Sequence, residues 1–166
     1  PQPIAAPVSP QLEQMPTGCL GRLFGRPRRE GPESAPRLEF NPGDWRSMRS
    51  GWEAPSTLGN GVTVAWVLGL EASVDIARVE STTTPIKVRL WPHRGLGEDQ
   101  WVRVLLNDHV LGIERLRAGP QIIEFDAPSE VWRDGRDLLV LQFSRVCCEG
   151  SKKRKAAAVD WIKWGR

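Results

Sequence analysis

The sequence predicts an all-β protein, an antiparallel β-sandwich preceded by an extended, Pro-rich arm. Three observations lead there. From Trp101 to Leu141 the chain runs through short segments of alternating apolar and polar residues separated by turn residues, the signature of antiparallel strands. No ten-residue stretch carries a helical apolar stripe. Residues 1 to 36 hold eight of the fourteen prolines. Proline locks φ and lacks a backbone donor, so this stretch joins neither a helix nor a central strand.

The elements follow in order. Residues 1–36 read as an extended linker or a docking arm, with Leu20, Leu23 and Phe24 of C-L-G-R-L-F-G as its apolar, partner-binding anchors. The sandwich domain then spans residues 37–166. R-L-E-F opens a first strand and N-P-G-D is a turn signal. W-R-S-M-R-S-G-W-E forms an irregular, aromatic and basic loop. Gly59-Asn60-Gly61 is a hairpin turn entering a strand at Val62–Leu70, where Val62, Val64, Trp66, Leu68 and Leu70 share one face at period two. A less regular strand spans Val74–Glu80, and T-T-T-P breaks the run.

The second half is more regular. Ile86, Val88 and Leu90 point one way while Lys87, Arg89 and Trp91 point the other. Val102, Val104 and Leu106 form a further buried face. Asn107-Asp108 suits a two-residue hairpin because both residues tolerate positive φ. Ile123 and Phe125 share an inner face, and Glu130–Gly135 is a turn with at most a short helix. Leu138–Ser144 starts apolar on both faces, as a central strand does. S-K-K-R-K is a charged loop, and Ala156–Trp164 supplies the last strand. Eight to ten strands at this spacing favour two layers over a barrel.

Composition narrows the function. The chain has 166 residues, one domain's worth, with 40% apolar residues, eight Trp and no Tyr. A net charge of +3 permits acidic partners without specifying one. No run has the length of a membrane-spanning helix, and no signal peptide is read, although contact with a membrane surface stays open. Three cysteines, Cys19, Cys147 and Cys148, do not make a disulfide framework. His93 and His109 stand in loops without a nucleophile-elbow motif, so no catalytic residue and no enzymatic activity are expected. Structural zinc needs four ligands at set spacings, which are missing, and no metal site or cofactor is expected. The short Gly59-Asn60-Gly61 and Gly95-Leu96-Gly97 spots are no phosphate cradles. Lys152–Lys155 and Arg26, Arg28 and Arg29 lack interleaved aromatics, which makes nucleic acid an improbable partner and solvated loops the simpler reading.

What stands out is an aromatic and basic set. Trp45, Arg46, Arg49, Trp52 and Glu53 share one loop, while Arg89 and Trp91 share the outer face of a strand. Indole faces stack on the apolar faces of sugars while charged side chains take the hydroxyls. The candidate ligand-binding residues are therefore Arg49, Trp52, Glu53, Arg89 and Trp91. The competing reading is that these indoles plug the ends of the sandwich.

D-W-R-S-M-R-S-G-W-E, V-R-V-L-L-N-D-H-V-L-G, R-D-G-R-D-L-L-V-L-Q-F-S and R-K-A-A-A-V-D-W-I occur in that order. Together, over Arg37 to Gly165, they resemble a bacterial β-sandwich accessory domain of galactose-binding, jelly-roll type. Such domains are appended to cell-envelope proteins of polysaccharide and sulfatase-like pathways. The resemblance implies a jelly roll, an association with sugars or the cell envelope, an extracytoplasmic location rather than a cytoplasmic one, and no enzymatic activity. The chain departs from the family in having Asn107-Asp108 where N-G is usual, and K-K-R-K-A where D-x-R-x-L is common. The expected function is a non-catalytic module for a glycan or another envelope component. The alternative is a structural subunit of a larger assembly, docked through the arm and a sandwich face bearing Trp161 and Trp164.

Overall fold

The computed structural model describes residues 35–40, 44–79, 81–96, 99–147 and 154–165. These carry ten strands: β1 (Arg37–Glu39), β2 (Ser56–Thr57), β3 (Thr63–Leu68), β4 (Glu71–Ala77), β5 (Thr83–Pro92), β6 (Gln100–Leu106), β7 (His109–Leu116), β8 (Gln121–Pro128), β9 (Arg136–Phe143) and β10 (Lys155–Trp164). Short 3-10 turns lie at Asp44–Ser47, Arg94–Leu96 and Ser129–Val131. The anchor residues Leu20, Leu23 and Phe24 lie outside the described residues.

The strands form two antiparallel sheets. One has the order β2-β3-β10-β5-β8, with β1 pairing the end of β10. The other has the order β4-β9-β6-β7. The pairings nest inside one another. β6 pairs β7 around Asn107 and Asp108, β5 pairs β8 outside them, then β4 pairs β9, then β3 pairs β10, and β1 pairs the end of β10 outside all of these. This is one long hairpin rolled so that successive pairs alternate between sheets, the jelly-roll arrangement. Its tip is fixed by chirality: Asn107 and Asp108 have φ of 50° and 73°, the left-handed pair required by a type I′ turn.

The core lies between the sheets. One sheet contributes Ala65, Val67, Ile86, Val88, Leu90, Ile123, Val159 and Ile162; the other contributes Ala72, Val74, Ile76, Val102, Val104, Leu106, Leu139 and Leu141. The alternation expected for β5 and β6 is realised residue by residue. β9 lies between β4 and β6, as its two apolar faces require.

Two expectations are revised. The strand expected at Val74–Glu80 is Glu71–Ala77. It begins directly after Gly69, at φ 78°, and Leu70, and the inward side chain of Ala72 is too small to mark its start. The period-two set containing Val64, Trp66 and Leu68 is a real face, but it points away from the core. Ala65 and Val67 fill the interior of β3 instead, because Ala65 pairs with the core residue Val159.

Candidate functional site

A groove of about 700 Å³ opens on the outer face of the β2-β3-β10-β5-β8 sheet. Its floor is set by register. Trp66 of β3 pairs with Ala158 of β10, and Ala158 pairs with Trp91 of β5. Directly paired antiparallel residues share a face, so two indoles stand either side of a small, fully buried alanine. Adjacent strands are about 4.8 Å apart, which puts the two Trp backbones roughly 10 Å from each other. Both rings can therefore meet one ligand.

The loops complete the walls: Leu58, Gly59, Asn60 and Val62 from the β2–β3 hairpin, Pro92, His93 and Arg94 after β5, and Ala118, Gly119 and Pro120 before β8. Among the described residues, the lining contains Arg89 and Arg94 but no Ser, Thr, Cys, Asp or Glu.

Trp66, Lys155, His93 and Arg89 are held by contacts of their own. The Lys155 ammonium lies 4.8 Å from the Trp66 ring centroid and is fixed by a 2.7 Å ion pair with Glu53. The His93 ring packs 5.6 Å from Trp66, and its Nδ1 accepts the Gly95 amide at 3.3 Å. Arg89 donates to Asp160 at 2.9 Å from the neighbouring strand. A guanidinium held by one carboxylate edge still has other N–H groups to offer.

The structure divides the five expected ligand-binding residues. Arg89 and Trp91 line the groove. Glu53 stands beside it, through Lys155. Trp52 does not line it. Its ring packs 4.9 Å from Phe40 and against the core, and its Nε1 donates to the Ser73 carbonyl at 2.7 Å. Arg49 pairs with Asp75 of the other sheet, whose hydrogen bond and charge push the guanidinium further above its usual range. Of the expected partner-binding pair, Trp161 lies on the same outer face with Arg37 4.9 Å over its ring. Trp164 is buried in the core and donates to the Ala77 carbonyl at 2.8 Å.

Sequence reasoning missed Trp66 and Ala158. In V-A-W-V both faces of the strand are apolar, so alternation cannot say which side meets the other sheet. The pairing of Trp66 with Trp91 through Ala158 joins three remote segments.

The fold has counterparts among solved structures. The chain shares its fold with carbohydrate-binding modules. The C-terminal CBM6 of LamC, a marine laminarinase from Zobellia galactanivorans, superposes with a TM-score of 0.53 at 10% identity, over 80% of this chain and 99% of that one. A family 35 carbohydrate-binding module from Clostridium thermocellum gives 0.54 at 10% identity, over 78% and 98%. The GH115 glucuronidase BtGH115A gives 0.56 at 10% identity, over 81% of this chain but only 18% of the enzyme. At such identities the likeness concerns the fold. No protein-family model and no curated protein matches the sequence.

Among the described residues, no group of three His, Cys, Asp or Glu side chains could hold a metal ion, and no helix is long and apolar enough to cross a membrane. Cys147 is a half-buried free thiol.

Proposed function

We propose that the chain is a non-catalytic glycan-binding module whose binding residues are Trp66, Trp91, Arg89, Arg94 and Asn60. The observation that carries this reading is the Trp66–Ala158–Trp91 row in an open groove. Two indole faces with a few polar groups around them are what a sugar requires, apolar surface for the ring faces and donors for the hydroxyls. The fold shared with carbohydrate-binding modules supports the same class. A catalytic reading finds a histidine in the cleft, His93, but no nucleophile among the described lining residues. The carboxylates next to the groove's cationic side chains, Glu53 and Asp160, are engaged by Lys155 and Arg89. The domain of residues 37–166, an arm of residues 1–36 and a cell-envelope, extracytoplasmic setting belong to the same proposal.

The test is calorimetry and affinity electrophoresis of the full chain against a panel of soluble polysaccharides. Trp66→Ala and Trp91→Ala should each weaken binding by about tenfold or more, since a stacked ring contributes about 0.5–1.5 kcal/mol beyond the roughly 25 cal/mol per Å² of apolar area it buries, and about 1.4 kcal/mol is tenfold. Trp101→Ala, on the opposite sheet, should leave it unchanged. Equal loss from all three variants, or no binding to any polysaccharide, would sink the proposal.

A second reading, docking of a protein partner, draws on the outer face of the β4-β9-β6-β7 sheet. There Trp101 and Ile113 are 45% and 58% exposed beside Leu70. The row Glu71–Gln142–Arg103 is hydrogen-bonded across three strands of that face. Co-purification of partners unaffected by Trp101→Ser would remove this reading.

A further inference from the structure

We infer that the groove selects acidic glycans, those carrying a uronate carboxylate or a sulfate ester, over neutral ones. The inference rests on the glycan-binding proposal and concerns the charge of the sugar.

The electrostatics of the face point this way. Arg89 is neutralised by Asp160 at 2.9 Å and Lys155 by Glu53 at 2.7 Å. These two pairs cancel and serve to hold the side chains in position. Arg94 is different. It lines the groove from the 3-10 turn Arg94–Leu96, is exposed, and has no ion-pair partner among the described residues. In the segment before β8, the strand next to β5, Arg117 directly precedes the lining residues Ala118, Gly119 and Pro120. It too is exposed and without an ion-pair partner among the described residues. Among the described residues, the lining contains no carboxylate. An anionic substituent entering between the indoles would meet the unneutralised Arg94 guanidinium, while the carboxylates beside the groove, Asp160 and Glu53, are already paired with Arg89 and Lys155.

Guanidinium is suited to this task. Its planar fork matches the two oxygens of a carboxylate or sulfate, and a charge-assisted bond is about twice as strong as a neutral one. A neutral sugar could stack on Trp66 and Trp91 equally well but would leave Arg94 with water. Arg94 is also the clean position to perturb. Removing Arg89 would strand Asp160, which is largely buried, whereas Arg94 leaves no orphan behind.

The experiment compares matched pairs on the full chain by calorimetry: oligogalacturonate, oligoalginate and oligoglucuronate against their carboxyl-reduced counterparts, and sulfated galactan oligosaccharides against desulfated ones. At least one acidic member should bind about tenfold or more tightly than its neutral counterpart. That preference should shrink as NaCl rises from about 0.05 to 0.5 M, because exposed charges are screened, and Arg94→Gln should remove most of it. Preference confined to the uronate pairs or to the sulfate pair identifies the anion. Neutral members binding as tightly as acidic ones, or Arg94→Gln leaving the preference intact, overturns the inference while the glycan-binding proposal stands. Binding by neither kind overturns both.

Discussion

The tip of the rolled hairpin gives two adjacent positions with opposite expected responses. Asn107 is buried, and its side chain joins three groups: Nδ2 donates to the Val131 carbonyl at 2.9 Å and to the carboxylate of fully buried Asp137, while Oδ1 accepts the Leu138 amide at 3.0 Å. Asp137 in turn accepts the Arg133 amide at 2.7 Å, so the turn, the 3-10 segment and β9 are tied through one side chain. Asn107→Ala breaks three hydrogen bonds and leaves buried groups unmatched. Two neutral bonds at about 1 kcal/mol each and one to a carboxylate at about 1.5–3 kcal/mol, with about 1 kcal/mol for alanine at positive φ, sum to about 4–6 kcal/mol. That is a large share of the roughly 5–15 kcal/mol that holds a domain folded. Asp108 has φ 73° but is exposed, and its 3.6 Å ion pair with Arg133 contributes little because both partners are solvated. Asp108→Gly should therefore be neutral or stabilising by up to about 1 kcal/mol, since glycine adopts this φ without strain. Urea unfolding followed by tryptophan fluorescence, with m unchanged, reads both variants. Loss of less than about 1 kcal/mol in Asn107→Ala, or clear destabilisation by Asp108→Gly, would refute this account of the turn.

Two further outcomes are expected. Gly51 has φ 79°, and a Cβ there would fall 1.9 Å from the Glu71 carbonyl oxygen and 2.8 Å from the Ala72 Cα. Gly51→Ala must therefore move backbone and should cost about 3 kcal/mol or more, read as a lower urea midpoint; an unchanged midpoint would mean that the loop yields freely. Trp52→Phe removes the donor to Ser73 and part of the packing on Phe40, so it should lose about 1–3 kcal/mol of stability with unaltered glycan affinity. A selective loss of affinity would return Trp52 to the binding site.

The architecture was legible where one face of a strand is polar. Lys87 and Arg89 against Ile86, Val88 and Leu90, and Arg103 against Val102 and Val104, leave a single way round for β5 and β6. It was illegible where both faces are apolar, as in Val64–Val67, and where an inward residue is as small as Ala72. Within the groove, Arg89 and Trp91 could be found because they neighbour each other on one strand. Trp66 could not, since its partnership depends on register across β10. The loop of Trp45, Arg46, Arg49, Trp52 and Glu53 is dense in the right residue types, yet its members serve separate ends: Trp52 the core, Arg49 the Asp75 carboxylate, Glu53 the lysine over Trp66.

The nested pairing also sets an order of assembly. β6 and β7 close the smallest loop, at Asn107 and Asp108, and each pair outside them must close a longer one. The chain-entropy cost rises with each step, and contacts remote in sequence are slow to form. The indole row is built from the last of the alternating pairs, β3 with β10, and from β10 with β5. Trp66, Ala158 and Trp91 therefore come together only when the roll is complete. A ligand held between the indoles acts as a clasp on the last turn to close: it binds the finished fold alone, and its binding free energy adds directly to the stability of that closure.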